Sequence, residues 1–216
     1  QQSFAFAAAV NSAQPLTIGI LPGSREKEIN SLLPVMLEAA SLLSKEFSTA
    51  RFLLLKAPTI SRSSLEEFIR NSPLPLTVVE ENIYRGIAQC ELCMVASGSA
   101  TLEVAILNKP MVIVYKLAEP SYWLGRMLVQ VPHIGLPNII AGRGIVPELI
   151  QHAANPAAIA DALQRMLTDS NYADAMRRDL AEVKAKLGEG GGSATMAELA
   201  AELLQGEKRP ARSLWE

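Results

Sequence analysis

The chain has 216 residues, with 20 Lys and Arg against 22 Asp and Glu, a formal net charge of −2. Hydrophobic residues make up 49% and charged residues 19%, a globular composition at a length that suits one large domain or two small ones. The near-zero charge and 5% aromatic content exclude a basic nucleic-acid surface and a base-stacking platform, so no nucleic-acid partner is expected.

Residues 1–15 are rich in Ala, Gln and Ser, without a clean period, and read as a lead-in. They show no Lys or Arg ahead of the apolar stretch, so no secretory leader is read there. No run of about 20 apolar residues suggests a spanning helix; peripheral membrane contact stays open.

Regular alternation starts next. Leu16–Leu21 is an apolar run of strand length, ended by the turn signal Pro22-Gly23-Ser24-Arg25. Ile29, Leu32, Leu33, Met36, Leu37, Ala40 and Leu43 then fall on one helical face, and Pro34 inside it predicts a kink or a late start. Strands follow at Phe52–Leu55, Leu76–Val79, Leu92–Ala96 and Met111–Tyr115. Between them lie helices at Ser64–Arg70, Ile83–Ala88 and Ala100–Leu107. Apolar strands alternating with helices imply a parallel sheet covered on both faces, an α/β Rossmann-like fold.

Residues 116–153 lose the alternation and contain Pro120, Pro132, Pro137 and Pro147, while Ile134, Leu136, Ile139, Ile140 and Val146 argue for order. The carboxyl-terminal segment is helical over Pro156–Leu167, Tyr172–Leu187 and Ser193–Leu204, with a glycine-rich break at 188–192. The domain is read as 16–205, followed by a flexible charged tail over 206–216.

Cys90 and Cys93 form a C-x-x-C pair inside an apolar run rather than at a helix start, and read as small buried hydrophobes in a reducing compartment. His133 and His152 lack metal-ligand spacing with another His, Cys or acid, and read as structural; no metal site is expected. Tyr122-Trp123-Leu124 and Met127-Leu128-Val129 read as core packing, or as a partner- or lipid-facing surface.

Three clusters can carry chemistry. Gly23, Ser24 and Arg25 lie between a strand and a helix, where backbone N–H groups and a guanidinium favour an anion such as phosphate; an ordinary turn gives the same pattern. Ser97-Gly98-Ser99-Ala100-Thr101-Leu102-Glu103 occupies an equivalent junction. The hydroxyls of Ser99 and Thr101 can donate to phosphate and Glu103 can accept from a ribose diol, against the alternative of a capping box. Leu136-Pro137-Asn138 and Pro147-Glu148-Leu149-Ile150-Gln151 offer amides and a carboxylate suited to a base edge or sugar hydroxyls, or to turns and caps.

Taken together, these blocks resemble the second half of the lipid-A-disaccharide synthase family. Leu21-Pro22-Gly23-Ser24-Arg25 with Glu28-Ile29 and Leu33-Pro34 is similar to its opening. Ser97–Glu103 with Pro110-Met111-Val112 and Tyr115-Lys116 is similar to its next block, and the Leu136 and Pro147 segments to its third. The three blocks are co-linear within 16–205.

The resemblance implies one half of a GT-B inverting glycosyltransferase. The whole enzyme joins UDP-2,3-diacylglucosamine to 2,3-diacylglucosamine 1-phosphate, giving lipid A disaccharide 1-phosphate and UDP, with no cofactor beyond the sugar donor. It also implies a cytoplasmic protein, peripheral at the inner-membrane surface, and allows a homodimer. By resemblance Gly23, Ser24 and Arg25 meet the donor phosphates, Ser99 and Thr101 support the diphosphate, and Glu103 holds the ribose. Pro137, Asn138, Glu148 and Gln151 line the donor pocket. Ser99 stands where the family pattern has Thr, and a hydroxyl is kept. The family's general base, an aspartate, belongs to an acceptor-binding first half with no counterpart in these residues, so no catalytic base is assigned. The chain alone is expected not to form the disaccharide. A non-catalytic nucleotide-binding module and a UDP-sugar 2-epimerase-like half are the alternatives.

Overall fold

The computed structural model describes residues 15–116 and 132–188. The expectations for the lead-in up to Gln14, the Tyr122–Val129 stretch, the Ser193–Leu204 helix and the charged tail lie outside the described residues.

Five strands alternate with helices: β1 (Thr17–Leu21), α1 (Glu26–Glu46), β2 (Arg51–Leu55), α2 (Ser63–Asn71), β3 (Leu76–Val79), α3 (Ile83–Ala88), β4 (Leu92–Ala96), α4 (Ala100–Ile106) and β5 (Met111–Tyr115). After the segment at 132–135 come α5 (Leu136–Ala141), β6 (Glu148–Ile150), a 3₁₀ turn at Gln151–Ala153, α6 (Pro156–Thr168) and α7 (Ser170–Leu187). The described residues through Lys184 belong to one compact unit, and the last turn of α7, from Ala185, belongs to a second. Among the described residues no helix is long and apolar enough to cross a membrane.

The strands form one parallel sheet in the order β3-β2-β1-β4-β5-β6, with Ile18 of β1 opposite Phe52 on one side and Leu92 on the other. All five residues of β4 are buried, as are the last four of β1 and of β2. These runs show no polar alternation because helices cover both faces of the sheet. The α/β Rossmann-like reading holds, and the five expected strands sit within a residue of their observed ends.

Pro34 does not delay α1, which runs unbroken through it. Pro34 and Asn30 are exposed, so the Asn30 carbonyl left without an N–H partner faces water. The opposite face buries Ile29, Leu32, Leu33, Met36, Ala39, Ala40 and Leu43. Each large apolar side chain contributes about 1.5–3 kcal/mol, so the stripe outweighs the ~3 kcal/mol proline penalty.

Two elements emerge inside the stretch read as irregular. Pro137 lies in the first turn of α5, where its fixed φ helps start a helix, and Gly142 ends it in the left-handed region at φ 72°. Strand β6 is three residues long and pairs at the sheet edge, Ile113 opposite Glu148. Asn155 caps α6 by accepting the Ala158 N–H at 3.0 Å.

Cys90 and Cys93 are free thiols, fully buried, as expected of small core residues. The hydrogen bond that the Cys93 thiol donates to Cys90, together with burial, pushes that thiol well above its ordinary value. Gly19 allows this packing, because a Cβ there would sit 2.7 Å from Cys93 Sγ and 3.0 Å from Cys90 Sγ.

Candidate functional site

Chain order reverses between β1 and β4: β1 leads through α1 to β2 on one side, and β4 leads through α4 to β5 on the other. The loops leaving the two strands therefore diverge and open a crevice at their carboxyl ends. A cavity of about 450 Å³ lies there. One wall is Gly23, Ser24, Arg25 and Glu28; a second is Ala57, Pro58 and Thr59 after β2; a third is Ser97, Gly98, Ser99 and Glu103. Leu55 and Ile83 add apolar surface.

The first wall is a turn with its polar atoms tied down. Gly23 has φ 116°, a conformation that favours glycine. The Glu28 carboxylate accepts the Ser24 N–H at 2.9 Å and an Arg25 guanidinium N–H at 2.9 Å. The Thr59 hydroxyl donates to the Ser24 carbonyl at 2.7 Å, linking the first wall to the second. Lys56 steadies the second wall by donating to the Ile60 carbonyl at 2.8 Å. Arg62 pairs with Glu80 beside it.

The third wall carries the expected carboxylate. Glu103 lies in the first turn of α4 and lines the cavity. Burial holds its carboxyl above the usual carboxylate range. Ser99 makes no side-chain cap with α4, which leaves its hydroxyl available to a ligand. The structure thus brings Gly23, Ser24, Arg25, Ser99 and Glu103 around one cavity.

The other expected site residues lie elsewhere. Thr101 is fully buried and its hydroxyl donates to the Gly98 carbonyl at 2.7 Å, so it shapes the loop from behind instead of facing a ligand. Pro137 and Asn138 are buried in α5. Asn138 Oδ1 accepts the N–H groups of Ile145 and Val146, while Nδ2 donates to the Val146 carbonyl and to Glu148. The Glu148 carboxylate accepts the N–H groups of Ile134 and Gly135. The pair is a brace for the return into α5, because a buried Asn138 and a half-buried Glu148 tie the backbone on both sides of that helix to each other. The Ser97 hydroxyl joins that brace to the cavity by donating to the Ile134 carbonyl at 3.3 Å. Gln151, at φ 53°, lines a different cavity of about 350 Å³ with Lys116, His152 and Asn155.

Glu28 and the 57–59 wall were not singled out as site residues from the sequence. Glu28 carried a signal, an acid three residues past Arg25 at the spacing of a capping box. The 57–59 wall carried none, since only the sheet order brings it to β1.

A model of the family described as Lipid-A-disaccharide synthetase matches residues 6–203. The lipid-A-disaccharide synthase of Nitrosococcus oceani is 42% identical over 191 residues, covering 88% of this chain and 49% of the relative. That of Syntrophotalea carbinolica is 42% identical over 186 residues, covering 86% and 47%. The chain spans about half the length of the curated relatives it matches. Among solved structures, the calicheamicin glycosyltransferase CalG4 superposes with a TM-score of 0.55 at 17% identity, covering 93% of this chain and 44% of that one. A putative UDP-N-acetylglucosamine 2-epimerase from Listeria monocytogenes gives 0.62 at 12% identity, covering 97% and 50%. At these identities the likeness is one of fold, a Rossmann-like half-domain of the kind found in GT-B glycosyltransferases. On sequence, by a match running through all three of its motif blocks, the chain belongs to the lipid-A-disaccharide synthase family.

Proposed function

We propose that this chain forms the UDP-sugar-binding half of an inverting glycosyltransferase. The whole enzyme would join UDP-2,3-diacylglucosamine to 2,3-diacylglucosamine 1-phosphate, giving lipid A disaccharide 1-phosphate and UDP. Family membership supports the chemistry. The observation that carries the assignment to this cavity is Glu103: a half-buried carboxylate facing the crevice, across from the Gly23–Arg25 turn with its guanidinium.

A nucleoside diphosphate suits that polarity. Ribose hydroxyls donate to Glu103, while the diphosphate takes up the Arg25 guanidinium and the Ser99 hydroxyl. In glycosyl transfer the departing UDP gains negative charge, and the Arg25 guanidinium, through the N–H groups that its bond to Glu28 leaves over, stabilises it. The reading uses no cofactor beyond the donor, and no catalytic base is assigned within the described residues. The acylated acceptor, a cytoplasmic place at the inner-membrane surface and a homodimer belong to the same proposal.

Calorimetric or NMR titration of the chain with UDP tests it. Saturable UDP binding that perturbs residues of the Gly23–Arg25 and Ser97–Glu103 loops is expected. No detectable binding at millimolar UDP would overturn the reading.

A further inference from the structure

Arg25 presents a difficulty as a phosphate ligand: its side chain is 79% exposed, and a long exposed side chain loses much rotamer freedom when a ligand fixes it. The structure supplies a device that removes that loss beforehand. Glu28, in the first turn of α1, is only 17% exposed in its side chain and reaches back to the loop before the helix with both oxygens. One oxygen takes the Ser24 N–H and the other takes Arg25 Nη1, each at 2.9 Å. The fit is close, because a Cβ added at Gly23 would come within 2.8 Å of Glu28 Cβ. With Thr59 on the Ser24 carbonyl, both backbone polar groups of Ser24 are fixed.

We infer that Glu28 is a positioning residue for diphosphate binding, holding the Gly23–Arg25 turn and the Arg25 guanidinium in their ligand-ready arrangement. This rests on the reading of the cavity as a UDP site. A guanidinium has five N–H donors, and a bond to Glu28 leaves others for a phosphate. The alternative role has the opposite sign. If the carboxylate only repelled the incoming phosphates, removing its charge would tighten UDP binding.

The test is UDP and uridine affinity, by NMR titration, for the unaltered chain, Glu28→Gln, Arg25→Ala and the double variant, with thermal unfolding of each. Positioning predicts that Glu28→Gln weakens UDP binding by at least about tenfold, as for loss of a charge-assisted hydrogen bond. Uridine affinity should not change, since the nucleoside carries no phosphate. The same substitution should cost much less in the Arg25→Ala background, because the two residues act through one arrangement. Glu28→Asp, a methylene short of the Ser24 N–H, carries the same expectation if the Gln variant proves unstable. Unchanged or tighter UDP binding would overturn the inference. So would equal losses for UDP and uridine, which signal a pocket disturbed as a whole. Failure of the unaltered chain to bind UDP would instead count against the proposed function.

Discussion

Asn138 donates from Nδ2 to Glu148 Oε1 over 2.7 Å, so two residues expected at the donor bond each other, one buried and one half-buried. Asn138 is 1% exposed and makes four hydrogen bonds, three to the backbone of Ile145 and Val146 and one to Glu148.

Asn138→Ala would leave two buried N–H groups and a carbonyl without a partner. We expect a loss of roughly 2–4 kcal/mol in stability, the range for breaking a buried polar network. Asn138→Asp should cost at least as much, since it turns an oxygen toward the Glu148 carboxylate and the Val146 carbonyl. Urea unfolding of both variants checks this. If Asn138→Asp kept full stability while UDP binding was lost, Asn138 would be a ligand contact after all.

Glu103→Gln separates affinity from stability. If Glu103 accepts from the ribose, UDP binding should weaken by about 1–3 kcal/mol. Stability of the unliganded chain at neutral pH should hold or rise. A carboxyl raised by burial makes the folded state bind protons more readily than the unfolded state, so its charge destabilises above the raised value and the penalty is relieved as pH falls through it. The affinity runs the other way. UDP binding that needs the carboxylate should decline on acidification from above the usual carboxylate range. The difference between the chain and its Gln variant isolates this, because titration of the UDP phosphates is common to both.

Gly19→Ala tests the packing of the cysteines. The new methyl would press on Cys93 Sγ and Cys90 Sγ in a closed core. Overpacking of this kind costs about 1–3 kcal/mol. Removing the sulfur with Cys93→Ala should reduce that cost, a coupling that a double-mutant cycle on unfolding free energies measures directly.

Arg143 reaches from the turn after α5 to Asp179 at 2.9 Å and Glu182 at 3.2 Å on α7. The hydrogen bond from Arg143 holds the Asp179 carboxyl below its usual range. A depressed folded value gives stability that is complete above the ordinary aspartate range and is lost as pH falls through the folded value. The stability gap between the chain and Arg143→Ala should therefore be small at neutral pH, as for exposed pairs, and vanish in acid. Denaturation midpoints across pH 2 to 7, a span of about five units around the carboxylate range, check it.

The order and kind of most elements were legible in the sequence because strands buried on both faces must be apolar throughout. Phe52–Leu55 and Met111–Tyr115 could hardly be anything else between helical patterns. The Gly23-Ser24-Arg25 and Ser97–Glu103 junctions were legible too, since turn chemistry and small residues are local properties. What a local pattern cannot carry is which loops meet. Sheet order brings the 57–59 loop to the cavity, and β6 exists because Glu148–Ile150 finds the edge of β5, although three residues after a proline carry no periodicity. The direction of a polar side chain is likewise a tertiary outcome. Thr101, Asn138 and Glu148 have the chemistry of ligand contacts, but the fold sets each against backbone groups that it bonds instead: the Gly98 carbonyl for Thr101, Ile145 and Val146 for Asn138, and Ile134 and Gly135 for Glu148.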